Sequence, residues 1–61
     1  MKITVFMVQS ENGIINTVTY FDEKERMCKA DFSAAKLKAE KVDNEKLARM
    51  IEAHIALYSN A

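Results

Sequence analysis

The residues best suited to chemistry near neutral pH are Cys28 and His54, the only cysteine and the only histidine of the sequence. A thiol becomes nucleophilic when a base or a positive charge lowers its pKa, and the nearest positive charges in sequence are Lys24 and Lys29. His54 lies in an apolar stripe, and the nearest carboxylate, that of Glu52, falls on another side of the predicted helix. We therefore expect both to be packing residues and the protein not to be an enzyme. A minimal enzyme that uses Cys28 and His54 is the weaker alternative.

No pattern typical of a metal or cofactor site accompanies these two residues. The sequence has no Cys-x-x-Cys motif and no pair of histidines, so the usual ligand sets of zinc are missing. Its single glycine, Gly13, rules out a glycine-rich phosphate loop. We expect no metal, no cofactor and no catalytic residue.

Charge and hydropathy limit the classes of partner. Nine basic and nine acidic side chains cancel, whereas binding to nucleic acids or anionic membranes usually needs a basic surface. The longest apolar run, residues 5–8, is far shorter than the roughly 20 residues that span a bilayer. Met1 and Lys2 lead into a strand-like run rather than into the apolar core of a signal peptide. We therefore predict a cytoplasmic protein, with neither a membrane nor a nucleic acid as its partner.

Two runs rich in β-branched and aromatic residues, 2–9 and 14–21, flank the dipeptide Asn12-Gly13. Asn-Gly supplies the two positive-φ positions of a type I′ turn, whose twist matches that of paired strands. The sequence therefore predicts a β-hairpin over residues 2–21. Its register places three pairs opposite each other: Glu11 and Ile14, Met7 and Val18, and Val5 and Tyr20.

This register gives the hairpin two faces that are both partly apolar. One face carries Ile3, Val5, Met7, Ile14, Val18 and Tyr20. The other carries Phe6, Val8, Ile15 and Phe21. A two-stranded ribbon is barely stable alone and leaves open edges, so we expect helices to cover one face and a partner to cover the other face or an edge.

The chain after the hairpin has a helical pattern. Asp22 followed by Glu25 resembles a capping box, and neither glycine nor proline occurs beyond Gly13. We predict a helical region over residues 23–58. In one version it breaks at 42–44, where Asp43 or Asn44 begins a second helix; in the other it is one continuous rod.

The second half of this region has a single apolar stripe with a charged side opposite. The stripe consists of Leu47, Met50, Ile51, His54, Ile55 and Tyr58. Glu45 and Arg49 form a favourable i,i+4 pair on the opposite side. We therefore expect this helix to pack one face on the hairpin.

These elements predict an α+β fold: an N-terminal antiparallel β-hairpin followed by one or two α-helices, ββα or ββαα, in a single domain over residues 1–61. A chain of this length buries only about 60% of its unfolded surface. With one cysteine it forms no internal disulfide, so self-association remains as the usual support of a small fold. We expect a homodimer or a larger oligomer.

Surplus apolar surface points to protein binding as the function. The candidate interface residues are Phe6, Val8, Ile15, Phe21, Met27, Phe32, Leu37 and Tyr58. We expect a small non-enzymatic inhibitor or regulator that binds a larger protein. Compact chains without site chemistry are typical of phage or mobile-element products that block a host complex as anti-defence proteins.

A DNA-binding repressor is the alternative function. A strand followed by two helices resembles the ribbon–helix–helix repressors, which insert a β-ribbon into the major groove. Lysines give the first predicted helix a basic flank: Lys29, Lys36, Lys38 and Lys41. The strands, however, carry Lys2 as their single basic residue, which favours the protein-binding interpretation.

Overall fold

The computed structural model describes residues 2–59, with side chains up to residue 57. The chain forms an antiparallel three-stranded sheet followed by one helix, so the predicted α+β class and the N-terminal hairpin are confirmed. The elements are β1 (Thr4–Glu11), β2 (Ile14–Phe21), β3 (Met27–Asp31) and α1 (Asn44–Ser59), with 3-10 turns at Ser33–Ala35 and Ala39–Lys41. The strand order is β1-β2-β3, so β2 is central.

The turn between β1 and β2 has the predicted conformation. Asn12 and Gly13 both have positive φ, 55° and 79°, as a type I′ turn requires. Glu11 lies opposite Ile14, and Val5 lies opposite Tyr20. The predicted pairing of Met7 with Val18 is wrong, because Met7 lies opposite Thr19.

Two β-bulges account for this difference. Phe6 is an extra residue in β1, and Asn16 is an extra residue in β2. A bulge shifts the alternation of side chains by one residue. Val8 therefore pairs with Val18, and Ile15 joins the same buried face, although the unbulged register assigned Val8 and Ile15 to the other face. The two extra residues lie on opposite strands, so their shifts cancel. Pairs beyond either bulge therefore keep the predicted register, and only the pairs between the bulges are shifted.

The predicted first helix is wrong, since residues 27–31 form β3. This strand pairs antiparallel with β2, with Met27 opposite Phe21 and Asp31 opposite Thr17. The apolar side chains at positions 28, 30 and 32 alternate with charged ones at 29 and 31, which is a strand pattern. The continuous rod over residues 23–58 is excluded for the same reason.

Asp22 does bind free backbone amides, but in a β-turn rather than at a helix start. Its Oδ1 accepts hydrogen bonds from the amides of Lys24 at 2.9 Å and Arg26 at 2.8 Å. Glu25 has a φ of 61°, and its amide donates to the Asp22 carbonyl at 2.9 Å. This is a three-residue hairpin loop, a type I turn followed by a left-handed residue.

The segment after β3 turns back along the central strand. Lys36 has a φ of 56° and reverses the chain. The amide of Ile15 then donates to the Leu37 carbonyl at 2.8 Å, and the amide of Ala39 donates to the Gly13 carbonyl at 2.9 Å. Residues 37–39 therefore extend the edge of the sheet beside the beginning of β2, and β2 has neighbours on both sides over its whole length.

The predicted helix start at Asp43 or Asn44 agrees with α1, which begins at Asn44 with Asp43 as its N-cap. However, β3 and two 3-10 turns stand in place of the first helix that the predicted break would have ended. The Asp43 Oδ1 accepts a hydrogen bond from the amide of Lys46 at 2.8 Å. One turn further, Arg49 donates to the Glu45 carboxylate at 3.4 Å, the predicted pair. Within residues 2–59, no helix is both long and apolar enough to cross a membrane.

The core lies between one face of the sheet and α1. Its buried members are Ile3, Ile15, Val18, Leu47 and Ile51. Partly buried residues, among them Val5, Val8, Tyr20 and Ile55, pack around them. One helix covers one face of the sheet, so the opposite face has no covering element within the described residues.

Candidate functional site

The face of the sheet opposite α1 is here called the outer face. Val18 and Tyr20 pack against the core, so the alternation along β2 directs Thr17, Thr19 and Phe21 outward. Their partners on the flanking strands share this face. These partners are Thr4, Met7 and Gln9 of β1 and Met27, Lys29 and Asp31 of β3.

Four apolar side chains meet at one end of the outer face: Phe6, Met7, Phe21 and Met27, here called the outer apolar cluster. The rings of Phe6 and Phe21 are in edge contact, with centroids 5.3 Å apart and planes at 68°. Met27 lies directly opposite Phe21. Phe6 and Met27 are each 59% exposed and Met7 is 44% exposed. These neighbouring side chains form a contiguous exposed apolar patch, which is a feature that can mark a binding site.

The middle of the outer face contains a buried polar residue, Thr19. Thr19 lies between Met7 of β1 and Lys29 of β3, and only 2% of its surface is exposed. Its hydroxyl oxygen is buried and makes no hydrogen bond to any described residue. Thr19 is therefore covered by its neighbours on the outer face, and its hydroxyl is a buried polar group that costs stability.

An ion pair borders the cluster at the β2–β3 turn. The Arg26 guanidinium donates to the Asp22 carboxylate at 2.9 Å. The pKa of Asp22 is lowered, first by the hydrogen bond from the Arg26 backbone amide and also by the Arg26 side chain and the Lys24 amide. At the far end of β3 the pKa of Asp31 is lowered by hydrogen bonds from the hydroxyl and amide of Ser33. Both carboxylates are therefore held in their charged form.

A second concave surface lies between β3 and α1. This groove has a volume of about 550 Å³, and its lining includes Tyr20, Ala30, Phe32, His54 and Ile55. It exists because α1 alone is too narrow to cover three strands. Its volume falls within the range of small-molecule sites, and its walls are mainly apolar.

Cys28 lies opposite Tyr20 in the β2–β3 pair, and His54, which is exposed, lines the same groove as Tyr20. The Cys28 thiol donates to the Arg26 carbonyl at 3.6 Å and contacts Tyr20, while His54 lines the groove. The pKa of Tyr20 is raised, chiefly by burial and then by the neighbouring Cys28. Cys28 is not among the residues that line the groove beside His54. In the part of the chain that the structure describes, no three His, Cys, Asp or Glu side chains group as metal ligands.

The predicted interface residues separate into four groups. Phe6, Phe21 and Met27 belong to the outer apolar cluster, whereas Val8 and Ile15 face the core. Phe32 lines the groove, and Leu37 is partly buried against the core. The side chain of Tyr58 lies outside the described residues.

The predicted set of interface residues omits one member of the cluster, Met7. The unbulged register placed Met7 with Val5 and Val18, on the face opposite Phe6. The bulge at Phe6 brings both side chains to the outer face. Nothing in the local sequence marks this bulge, because it contains neither glycine nor proline.

The lysines of the predicted first helix do not form one helical flank. Lys29 lies on β3 opposite Thr19, Lys36 occupies the left-handed turn, and Lys38 lies opposite Ile14 at the sheet edge. Lys41 ends the second 3-10 turn. The first helix of the ribbon–helix–helix arrangement is therefore missing from residues 23–42, where the structure has β3 and two 3-10 turns.

The fold thus belongs to the class of small α+β proteins in which one helix packs on a three-stranded antiparallel sheet. Comparisons with family models, with curated proteins and with solved structures give no match to this chain. The candidate site is therefore defined by geometry alone. It consists of the outer apolar cluster and of the groove between β3 and α1 on the opposite face of the sheet.

Proposed function

We propose that this protein is a small non-enzymatic inhibitor or regulator that binds a larger protein through the outer apolar cluster. The observation that supports the proposal is the exposure of Phe6, Met7 and Met27, at 59%, 44% and 59%, on a face that no other element among residues 2–59 covers. Burying such surface against a partner gains about 25 cal/mol per Å². Burial of the cluster would therefore contribute to the free energy of association with a partner.

The cluster sits on a scaffold that limits the entropy lost on binding. Phe21 is held in the central strand, between β1 and β3, and its edge contact with Phe6 restricts the exposed ring. Rigid aromatic side chains lose few rotamers on binding, so more of the contact energy remains as affinity. Methionine adapts its shape to the partner surface.

The charges around the cluster favour a protein over a nucleic acid. None of the four cluster residues is charged, and the nearest charged groups, the Asp22–Arg26 pair and Lys29, include both signs. An apolar centre with a mixed polar rim is typical of protein interfaces. Nucleic-acid surfaces instead need basic groups that neutralise phosphates.

Inhibition by occlusion needs only a shaped surface. A protein of this kind covers a functional surface of its target, so its activity depends on affinity and position rather than on catalytic groups. Phage and mobile elements use small proteins in this way, and we propose that origin and a host protein complex as the target.

The test is selective capture with matched surface variants. Tagged wild-type protein, the M27Q variant and the control variant L57Q are each incubated with bacterial lysates. Met27 and Leu57 are both exposed, at 59% and 71%, but Leu57 lies on α1, away from the outer face. A target of this site is retained by wild type and by L57Q and is lost from M27Q.

The captured target is then purified and its affinity measured directly. We expect the M27Q substitution to raise Kd about tenfold or more, which corresponds to losing one anchor residue. Circular dichroism and thermal melting verify that both variants remain folded. A target that binds wild type and M27Q equally well would contradict the proposal.

A further inference from the structure

We propose that two copies of this chain pair through the free edge of β1, antiparallel and about a two-fold axis, to form one six-stranded sheet. The strand order is β1-β2-β3, so β1 has a neighbour on one side only. Within residues 2–59, no backbone segment pairs with its other side. The occupant proposed for this edge is β1 of a second copy.

The register shows which backbone groups are free for pairing. Glu11 and Ile14 flank the two-residue turn and face each other, so their backbones exchange hydrogen bonds as in every hairpin of this type. The backbone N–H and C=O groups of successive residues point to alternate sides of a strand. Ser10 and Val8 therefore direct these groups away from β2. These groups form the template for an added strand.

Apart from the bulge at Phe6, β1 lacks the features that usually protect an edge strand. It is 8 residues long, and between Thr4 and Ser10 it contains no lysine, no proline and no other charged residue. Edge strands that stay monomeric are usually shortened or charged. The other edge of the sheet fits that description, because β3 has 5 residues and two of them, Lys29 and Asp31, are charged.

The bulge at Phe6 interrupts the ladder and limits regular pairing to residues 7–11. An antiparallel pair over these residues is centred on Gln9. Val8 then lies opposite Ser10 of the partner subunit, and Ser10 lies opposite the partner's Val8. These are the residues whose backbone groups point outward, so the two contacts satisfy them reciprocally.

Self-pairing in this register brings no like charges together. The single charged residue in the paired segment is Glu11, and it lies opposite Met7 of the partner subunit. A two-fold contact uses the same segment on both copies, so it closes at a dimer. The one charge of the paired segment therefore lies opposite a neutral residue, which is compatible with pairing of the strand with itself.

The dimer goes beyond the proposed function because it concerns a different surface. The two-fold axis runs perpendicular to the sheet, so the outer faces of both copies point the same way. The assembly then presents two outer apolar clusters side by side and binds a two-fold symmetric target with higher avidity than one copy does.

The first test measures the mass of the purified protein by light scattering over a tenfold range of concentration. We expect a dimer for wild type and a dissociation constant at least about tenfold higher for S10P, because each copy loses one outward N–H and the effect counts twice. The matched control is K29P, which removes an outward N–H from the edge of β3. K29P and M27Q are expected to dimerise as wild type does.

The second test needs no substitution. Amide hydrogen exchange of the wild-type protein is measured at two concentrations on either side of the dissociation constant. The amides of Val8 and Ser10 should gain protection at the higher concentration, whereas those of Lys29 and Asp31 should not.

Three results would overturn the dimer. They are a monomer at every concentration up to about 1 mM, a concentration-independent exchange of the Val8 and Ser10 amides, or a dimer that K29P rather than S10P dissociates. Target capture by the outer apolar cluster is unaffected by the first of these results. Failure of the dimer and failure of the proposed function are therefore distinguishable.

Discussion

The ring of Phe6 meets the ring of Phe21 edge-on, with 5.3 Å between the centroids, although the two residues are not paired in the sheet. Phe21 lies opposite Thr4, and Phe6 is the extra residue of the β1 bulge. The bulge therefore aims an aromatic side chain at a neighbour that a regular strand would not bring to the same face. Bulges commonly redirect side chains at functional surfaces, and here the result is the outer apolar cluster.

Removing the hydroxyl of Thr19 should stabilise the protein. Thr19→Val keeps the side-chain shape and eliminates a buried oxygen that makes no hydrogen bond within the described residues. We expect a gain of about 1 kcal/mol in the free energy of unfolding, measured by urea denaturation. Thr17→Val is the control, because its hydroxyl donates to Asn16 at 3.4 Å. A loss of stability in the Thr19 variant would show that the hydroxyl has a partner.

Glu25 occupies a backbone conformation that favours glycine. Its φ is 61°, in the left-handed region, which costs a non-glycine residue roughly 1–2 kcal/mol. Because glycine also loses more chain entropy on folding, we expect Glu25→Gly to raise the free energy of unfolding by about 0.5–1 kcal/mol. Glu25→Ala keeps the strain and should give no such gain. Thermal melting of both variants measures the difference.

Acid should destabilise the protein through Asp22 and Asp31. Both pKa values are lowered in the folded state, so the unfolded chain binds protons more readily. Their contribution to stability is complete above the unfolded pKa of about 3.9 and is lost as the pH falls through the lower folded values.

The measurement is the melting temperature of wild type and of the double variant D22N/D31N between about pH 5 and pH 2. We expect a shallower fall for the double variant in this window. Glu40→Gln, which removes an exposed carboxylate outside both turns, serves as the control. Identical curves for wild type and the double variant would refute the linkage.

Alanine substitutions on the two sides of α1 should differ in their effect on stability. Ile51 is 3% exposed in the core and Leu57 is 71% exposed on the same helix. We expect Ile51→Ala to cost about 2–5 kcal/mol in the free energy of unfolding, and Leu57→Ala to change it by no more than about 0.5 kcal/mol. Comparable losses in the two variants would place Leu57 in a contact beyond the single chain.

The sequence predicted correctly those elements that depend on interactions between residues close together in the chain. Asn12-Gly13 predicted the β1–β2 turn because only a few residue pairs accept two positive φ values. Asp43 and Asn44 predicted the start of α1 because both residue types cap helices, and the Asp43 carboxylate binds a free amide of the first turn. In both cases the deciding interactions lie within four residues in the sequence.

The prediction failed where the deciding partner lies far away in the sequence. Residues 27–31 contain alanine, methionine and lysine, which suit a helix, but their backbone pairs with β2. Asp22 gave a correct local signal, an acceptor for free amides, that is common to a helix cap and to a hairpin loop. Glu25 and Lys36 reverse the chain without glycine or asparagine, so neither turn was visible.

The sequence by itself determined the first turn, the two strands beside it, the cap and apolar stripe of α1, and the supply of large apolar residues in the hairpin. Only the tertiary structure decided which of those residues are exposed. The reason is that side chains alternate with a period of two, so one extra residue, Phe6, exchanges the faces. Val8 faces the core and Met7 faces outward because the positions of the two bulges depend on both strands together. No local sequence pattern predicts those positions.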